Sequence, residues 1–128
     1  MKFFFDNNLS PKLAKSLDVL VEPERQVFHL KNRFAADTPD EDWMKQLSYE
    51  QDWVIVSGDV RITKNEHELA AWRAAGHTTF FLKKGWVHIP FWEQVQKFVK
   101  CFPSILEKAS RAERGSLFFV TVKGKIEG

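Results

Sequence analysis

The chain has 128 residues and a mass of 15.0 kDa, about the size of one domain, and its 44% hydrophobic and 28% charged content is ordinary for a soluble globular fold. A single cysteine, Cys101, excludes an internal disulfide framework and points to a reducing compartment, while the absence of any apolar run near the roughly 18 residues of a membrane span, and an acid as early as Asp6, argue against membrane insertion and a signal peptide. Residues 1–60 hold seven Lys/Arg against eleven Asp/Glu, and residues 61–128 hold twelve against six, which suits either an acidic centre beside a basic, polyanion-binding surface or a solvated charged exterior.

Phe3-Phe4-Phe5 is a short apolar run ending at an acid, and it predicts a buried strand. Ser10-Pro11 supplies an N-cap and a proline at the first helical position, with Leu9, Leu13, Ala14 and Leu17 on one face of the helix that follows. Gln26–Leu30 predicts a second strand, and Asn32 to Thr38 a loop. Thr38-Pro39-Asp40-Glu41 predicts a helix capped by Thr38, with Pro39 at the first position and Trp43, Met44 and Leu47 facing inward. Trp53-Val54-Ile55-Val56 is the clearest buried strand, and it ends at Ser57-Gly58-Asp59.

Thr63-Lys64-Asn65-Glu66 reads as a second capping box, opening a helix that carries Leu69, Ala70 and Trp72 and stops at Gly76. Thr78–Leu82 predicts the next strand. From Ile89 to Phe102 the pattern is amphipathic, with Trp92, Val95, Phe98, Val99 and Phe102 predicted inward, and Pro103 is expected to kink or break the helix. Leu117–Val122 predicts a last strand and residues 124–128 a frayed tail. Strands alternating with helices imply parallel βαβ units in one α/β domain over residues 1–128, a three-layer fold whose central, mainly parallel sheet has about five strands.

In such sheets ligands bind outside the C-terminal strand ends. Asp6 and Asp59 fall there, and the Asp40-Glu41-Asp42 turn opens on the same edge. Crowded carboxylates repel unless a cation neutralises them, and oxygen ligands without paired His or Cys suit Mg²⁺ or Mn²⁺. Such an ion activates water and stabilises phosphodiester displacement. Each residue also has a plainer reading: Asp6 as a turn cap with Asn7 and Asn8, Asp40 to Asp42 as partners of the helix dipole, and Asp59 as the close of a turn. Asn65, Glu66 and Glu68 fit an ordinary first helical turn. His29, His67, His77 and His88 have no zinc spacing and read as structural or exposed. Cys101 reads as a buried thiol. The five tryptophans read mostly as core, with Trp86 alternatively set to touch a nucleobase from the loop Lys83-Lys84-Gly85-Trp86.

The segments Phe5-Asp6-Asn7-Asn8-Leu9-Ser10, Asp40-Glu41-Asp42-Trp43 and Val54-Ile55-Val56-Ser57-Gly58-Asp59 resemble, in order and spacing, motifs of small PIN-like domains. Arg61-Ile62-Thr63-Lys64-Asn65 with Glu68 resembles a stretch of the VapC-type toxin subgroup, and the likeness spans roughly residues 2–110. The resemblance implies a PIN-like fold and a Mg²⁺- or Mn²⁺-dependent ribonuclease, a cytoplasmic toxin held by an antitoxin protein, with a homodimer allowed. By the same resemblance Asp6, Asp40 and Asp59 are the metal-binding acids, with Glu41 and Glu68 as second-line ligands or base and Asn7 and Ser57 in support. Arg61, Lys64, Lys83 and Lys84 are the candidates to hold RNA phosphates. Asn7 departs from the pattern, standing where many relatives carry Glu, and Ser10 precedes the proline where relatives carry no serine. The lost carboxylate raises the alternative of a catalytically silent module that binds RNA or a partner protein. A haloacid-dehalogenase-like phosphatase needs a second acid two residues on, where Asn8 stands. A response-regulator receiver needs adjacent acids near the first strand end and a later lysine, for which Lys83 and Lys84 are available.

Overall fold

The computed structural model describes residues 1–50, 52–59 and 66–128. The elements in chain order are β1 (Lys2–Phe5), α1 (Pro11–Val21), β2 (Gln26–His29), α2 (Leu30–Arg33), α3 (Asp40–Ser48), β3 (Trp53–Ser57), α4 (Glu66–Ala75), β4 (Thr78–Leu82), a 3-10 turn (Lys84–His88), α5 (Phe91–Arg111), β5 (Leu117–Val120) and β6 (Ile126–Glu127). The sheet order is β2-β1-β3-β4-β5-β6, parallel throughout except for the antiparallel β5–β6 pair. This is the expected α/β architecture, with six strands where about five were predicted.

Strand alternation sorts the apolar residues into two cores. Phe3 and Phe5 with Val54, Val56, Phe80 and Leu82 face α1 and α5, while Phe4 with Trp53, Ile55 and Phe81 faces the layer of α3 and α4. A buried parallel sheet has no solvent face, which is why β1, β3 and β4 read as continuous apolar or β-branched runs. Ser10 caps α1 as expected, its hydroxyl accepting the Lys12 N–H at 3.1 Å. On β2, the N–H groups of Val27 and His29 are taken by side chains, Asp18 Oδ1 and Asn32 Oδ1, each at 2.8 Å. Asn32 thereby ends the strand at His29 and starts α2 inside the stretch expected to be strand and loop.

The second predicted cap does not form. The Thr38 hydroxyl donates to the Ala35 carbonyl at 2.7 Å, and Pro39, which has no side-chain donor or acceptor, occupies the N-cap of α3. The Thr63 capping box lies outside the described residues. Gly76 ends α4 as expected, with a φ of +77°.

The C-terminal third departs furthest from expectation. Helix α5 runs unbroken through Pro103. The stripe Phe98, Cys101, Phe102, Ile105 and Ala109 is buried on both sides of the proline, so packing outweighs the missing N–H bond to the Val99 carbonyl, which sits on an exposed residue. Pro103 itself is exposed. Replacing it with alanine restores that bond, and Pro103→Ala is expected to stabilise the chain by about 1–3 kcal/mol in urea denaturation, less the entropy that proline removes from the unfolded state.

Trp92, predicted inside, is 75% exposed, because the buried stripe lies to one side of the line through Trp92, Val95 and Val99. Trp86 is core, with its indole N–H donating to the Val120 carbonyl at 3.1 Å. Cys101 is buried as expected, and burial pushes its thiol up to about 11. Residues 124–128 do not fray: Gly124, at φ +87°, lets the chain reverse so that Ile126 and Glu127 pair with Val120 and Phe119. That turn also shortens the predicted strand, which stops at Val120. Among the described residues, no helix is long and apolar enough to cross a membrane.

Candidate metal and phosphodiester site

From β1 the chain crosses to β2 on one side, and from β3 it proceeds to β4 on the other. The strand order therefore reverses between β1 and β3, and the crevice of a doubly wound sheet opens at their C-terminal ends. Asp6 follows β1 directly, and Ser57 ends β3 with Gly58 and Asp59 behind it.

Asp6 is 2% exposed. Its Oδ1 accepts the N–H groups of Asn8 and Gly58, each at 3.1 Å, and its Oδ2 accepts the Ser57 hydroxyl. Ser57 Oγ in turn accepts the Asp59 N–H at 3.2 Å. Burial pushes the Asp6 carboxyl up to about 6; the bonds from Ser57, Gly58 and Asn8 pull it back only in part, and the charge of Asp40 adds to the rise. The site thus holds a carboxylate in a fixed orientation without neutralising it.

Asp40 opens α3, and its Oδ1 accepts the Trp43 indole N–H at 3.0 Å. Asn7 donates its side-chain N–H to the Ala36 carbonyl at 3.1 Å, tying the loop after β1 to the loop before α3. Asp6 and Asp40 are therefore brought within electrostatic reach by contacts on both sides, although 34 positions separate them in the chain. Asp59 is half-buried on the same edge, and Glu41 is exposed in the first turn of α3. A cleft of about 420 Å³ between α3 and α4 is lined by Asp40, Glu41, Met44, His67, Ala71 and Trp72.

Arg61 and Lys64 lie outside the described residues, as does the side chain of Glu68, whose backbone is in α4. Lys83 is exposed and its ammonium pairs with Glu127 of β6 at 2.5 Å, whereas Lys84 is exposed at the start of the 3-10 turn.

Two histidines carry more than their sequence positions indicated. His67 is exposed and lines the α3–α4 cleft together with Ala71 one turn later on α4, a spacing that carries no signal in the sequence. His29 is buried, with Nε2 donating to the Leu9 carbonyl at 2.6 Å and Nδ1 accepting the Lys31 N–H at 3.1 Å, so it pins the loop that carries Asn7 and Asn8. Burial lowers its pKa, which keeps that tautomer neutral.

The donor chemistry fits a hard divalent cation. Asp6, Asp40 and Asp59 offer only oxygen, and Asp6 Oδ2 keeps a lone pair beyond the one used by Ser57 among the described residues. Among the described residues, no three His, Cys, Asp or Glu side chains come together closely enough to hold a metal ion, so Asp6, Asp40 and Asp59 share one edge of the sheet without forming a ready three-acid site.

Gly58 sets how closely the two strand ends approach. A Cβ there would lie 3.1 Å from Asn8 Cβ and 3.2 Å from the Asn8 carbonyl oxygen. Gly58→Ala is expected to push the Asn8 loop outward, lengthen both N–H bonds to Asp6 and cost about 1–2 kcal/mol, visible as a lower urea midpoint and altered Asn8 and Gly58 amide shifts.

The sequence matches the family described as PIN like domain over residues 1–84, a span that contains β1 through β4 and every acid of the site. No curated protein matches the chain. No solved structure matches it. With about two thirds of its length covered by that match, the chain belongs to the PIN like domain family.

Proposed function

We propose that this chain is a Mg²⁺- or Mn²⁺-dependent endoribonuclease acting as a cytoplasmic toxin of the VapC type. The observation that carries the reading is Asp6: a carboxylate fixed by Ser57, Gly58 and Asn8 at the switch point, yet left under-compensated beside Asp40. Asp6, Asp40 and Asp59 would hold the ion. When bound, a hard divalent ion lowers the pKa of water and stabilises charge on a phosphate undergoing in-line displacement. Ser57 and the two backbone N–H groups keep the Asp6 carboxylate oriented and ionised, while Trp43 holds Asp40 to the core. Lys84, with Arg61, Lys64 and Lys83, would bind the RNA backbone, and Glu41 and Glu68 are the next candidates for ligand or base. An antitoxin presenting a basic segment would neutralise the same acids in place of the ion. A homodimer is compatible with this reading.

Asn7 favours a second reading, a silent module that binds RNA or a partner protein, because its side chain is spent on the Ala36 carbonyl and contributes no carboxylate. The two are separated by assaying single-stranded and folded RNA with Mn²⁺, using wild type, Asp6→Asn and Asp59→Asn. Cleavage by wild type alone supports the nuclease, and equal cleavage by all three sinks it. RNA binding without cleavage, and no calorimetric heat at millimolar Mn²⁺, identifies the silent module. Growth arrest on expression of the chain, relieved by a co-expressed neighbouring gene product, tests the toxin assignment.

A further inference from the structure

The nuclease reading needs a surface that receives the bases, and that surface is not the α3–α4 cleft alone. Trp92 is 75% exposed in the first turn of α5, whereas Trp43, Trp53, Trp72 and Trp86 are all buried. Phe91, 40% exposed, meets the Trp92 ring edge to face at 5.9 Å and props it outward. Val87 on the 3-10 turn and Val99, seven residues on from Trp92 and so on the same side of α5, are exposed as well. Because α5 follows β4, its first turn lies at the C-terminal edge of the sheet, the edge at which β1 and β3 present Asp6 and Asp59. Helix α1 starts at that edge too, and it shares the α5 face of the sheet.

Charge around the patch selects its occupant. Lys12 and Lys15 on α1, Lys84 on the 3-10 turn and Lys100 on α5 are exposed on these elements. The acids on these elements are Asp18, Glu93 and Glu107, of which Asp18 is spent on the Val27 N–H and Glu107 pairs with Arg111. Phe91, Trp92, Val87 and Val99 are the exposed large apolar residues of the 3-10 turn and α5, Val19 and Leu20 lie in the last turn of α1, and four such side chains fall well short of the roughly 800 Å² of total surface that each partner of a stable protein dimer buries. A flat exposed indole among lysines instead matches a single-stranded polyanion, whose bases stack on aromatic rings while its phosphates meet the cations.

Resting on the ribonuclease reading, we propose that Trp92 is a stacking platform for a base of single-stranded RNA whose backbone passes the lysines of α1, the 3-10 turn and α5. The probe is a 12-nucleotide oligouridylate with 2′-O-methyl sugars, which binds without being cut. Binding is expected to quench tryptophan emission, since Trp92 is the exposed indole. Trp92→Ala is expected to weaken affinity about tenfold, the loss of one stacked base, while Trp92→Phe keeps most of it. Circular dichroism of both variants checks that an exposed substitution leaves the fold intact. Wild-type affinity in Trp92→Ala overturns the platform, and if wild type still cleaves RNA in Mn²⁺ the nuclease reading stands without it. No binding by wild type overturns the platform, and the cleavage assay then judges the nuclease reading on its own. A wild-type dimer that Trp92→Ala dissociates, with unchanged RNA affinity, also overturns it and assigns the patch to a second copy.

Discussion

Asp6→Asn is expected to abolish cleavage and, at the same time, to raise the melting temperature. The carboxyl titrates near 6 in the folded chain against 3.8 when unfolded. Below 3.8 both states carry the proton and the group contributes nothing to the pH dependence of stability. Between 3.8 and about 6 the folded state holds a proton that the unfolded state has released, so stability falls as pH rises. Above about 6 the full cost of the buried charge is present. Two pKa units correspond to at most about 3 kcal/mol at neutral pH. Asparagine keeps the shape, accepts from Gly58 and Asn8, and donates to Ser57 Oγ in place of accepting from it. Thermal melts without metal are expected to show a gain of several degrees at pH 7.5 that shrinks towards pH 4. Millimolar Mn²⁺ is expected to raise the melting point of wild type and not that of Asp6→Asn, since only the carboxylate gains from the ion. A variant no more stable than wild type at pH 7.5 would show that the carboxylate is compensated within the chain, and the case for a cation would go with it.

Asp6 was legible because its neighbours in sequence are its neighbours in space: an apolar run that has to be buried ends in an acid that cannot leave it. Ser57 and Asp59 were legible for the same reason at the end of Trp53–Ser57. Whatever depended on a distant partner was not legible. His29 is set by the Leu9 carbonyl twenty positions away, and the Asp40 carboxylate meets an indole, three residues on, that is held in place by Trp72 of α4. The outer strand β6 is two residues long, too short to carry a periodic pattern, and exists because Gly124 lets it fold back on β5. In α5 the apolar residues cover a wider arc than the sheet can bury, so sequence spacing alone selected Trp92 and Val99 beside Phe98 and Phe102. Pro103 misled because its local penalty is real and smaller than the packing of Ile105 and Ala109 beyond it.

Trp43→Ala carries the other large expected effect. The ring is fully buried, lies 4.9 Å from Phe4 and 5.4 Å from Trp72 between centroids, and sends its N–H to Asp40. Truncation removes the centre of the aromatic cluster beneath α3 and α4 and is expected to cost about 3–5 kcal/mol. Against the roughly 5–15 kcal/mol that holds a domain folded, that loss leaves a marginal protein. Trp43→Phe separates packing from anchoring: the cluster survives largely filled, with a loss of about 1–3 kcal/mol, while Asp40 loses the hydrogen bond from the Trp43 indole. Mn²⁺ affinity by calorimetry is expected to fall in Trp43→Phe by more than its urea midpoint predicts. Equal metal affinity in Trp43→Phe and wild type would detach Asp40 from the site.

The side-chain caps on β2 bear on how copies of this chain can meet. A sheet edge normally offers a ladder of open N–H groups to any passing strand. Here Asp18 and Asn32 occupy the Val27 and His29 donors, so an incoming backbone would have to displace a carboxylate and an amide before forming its first bond. At the opposite end, β6 offers only two residues. Crowded copies therefore have no zipper to share at either margin of the sheet, and any self-association falls to helix faces, where side chains choose the partner and a fibre does not propagate.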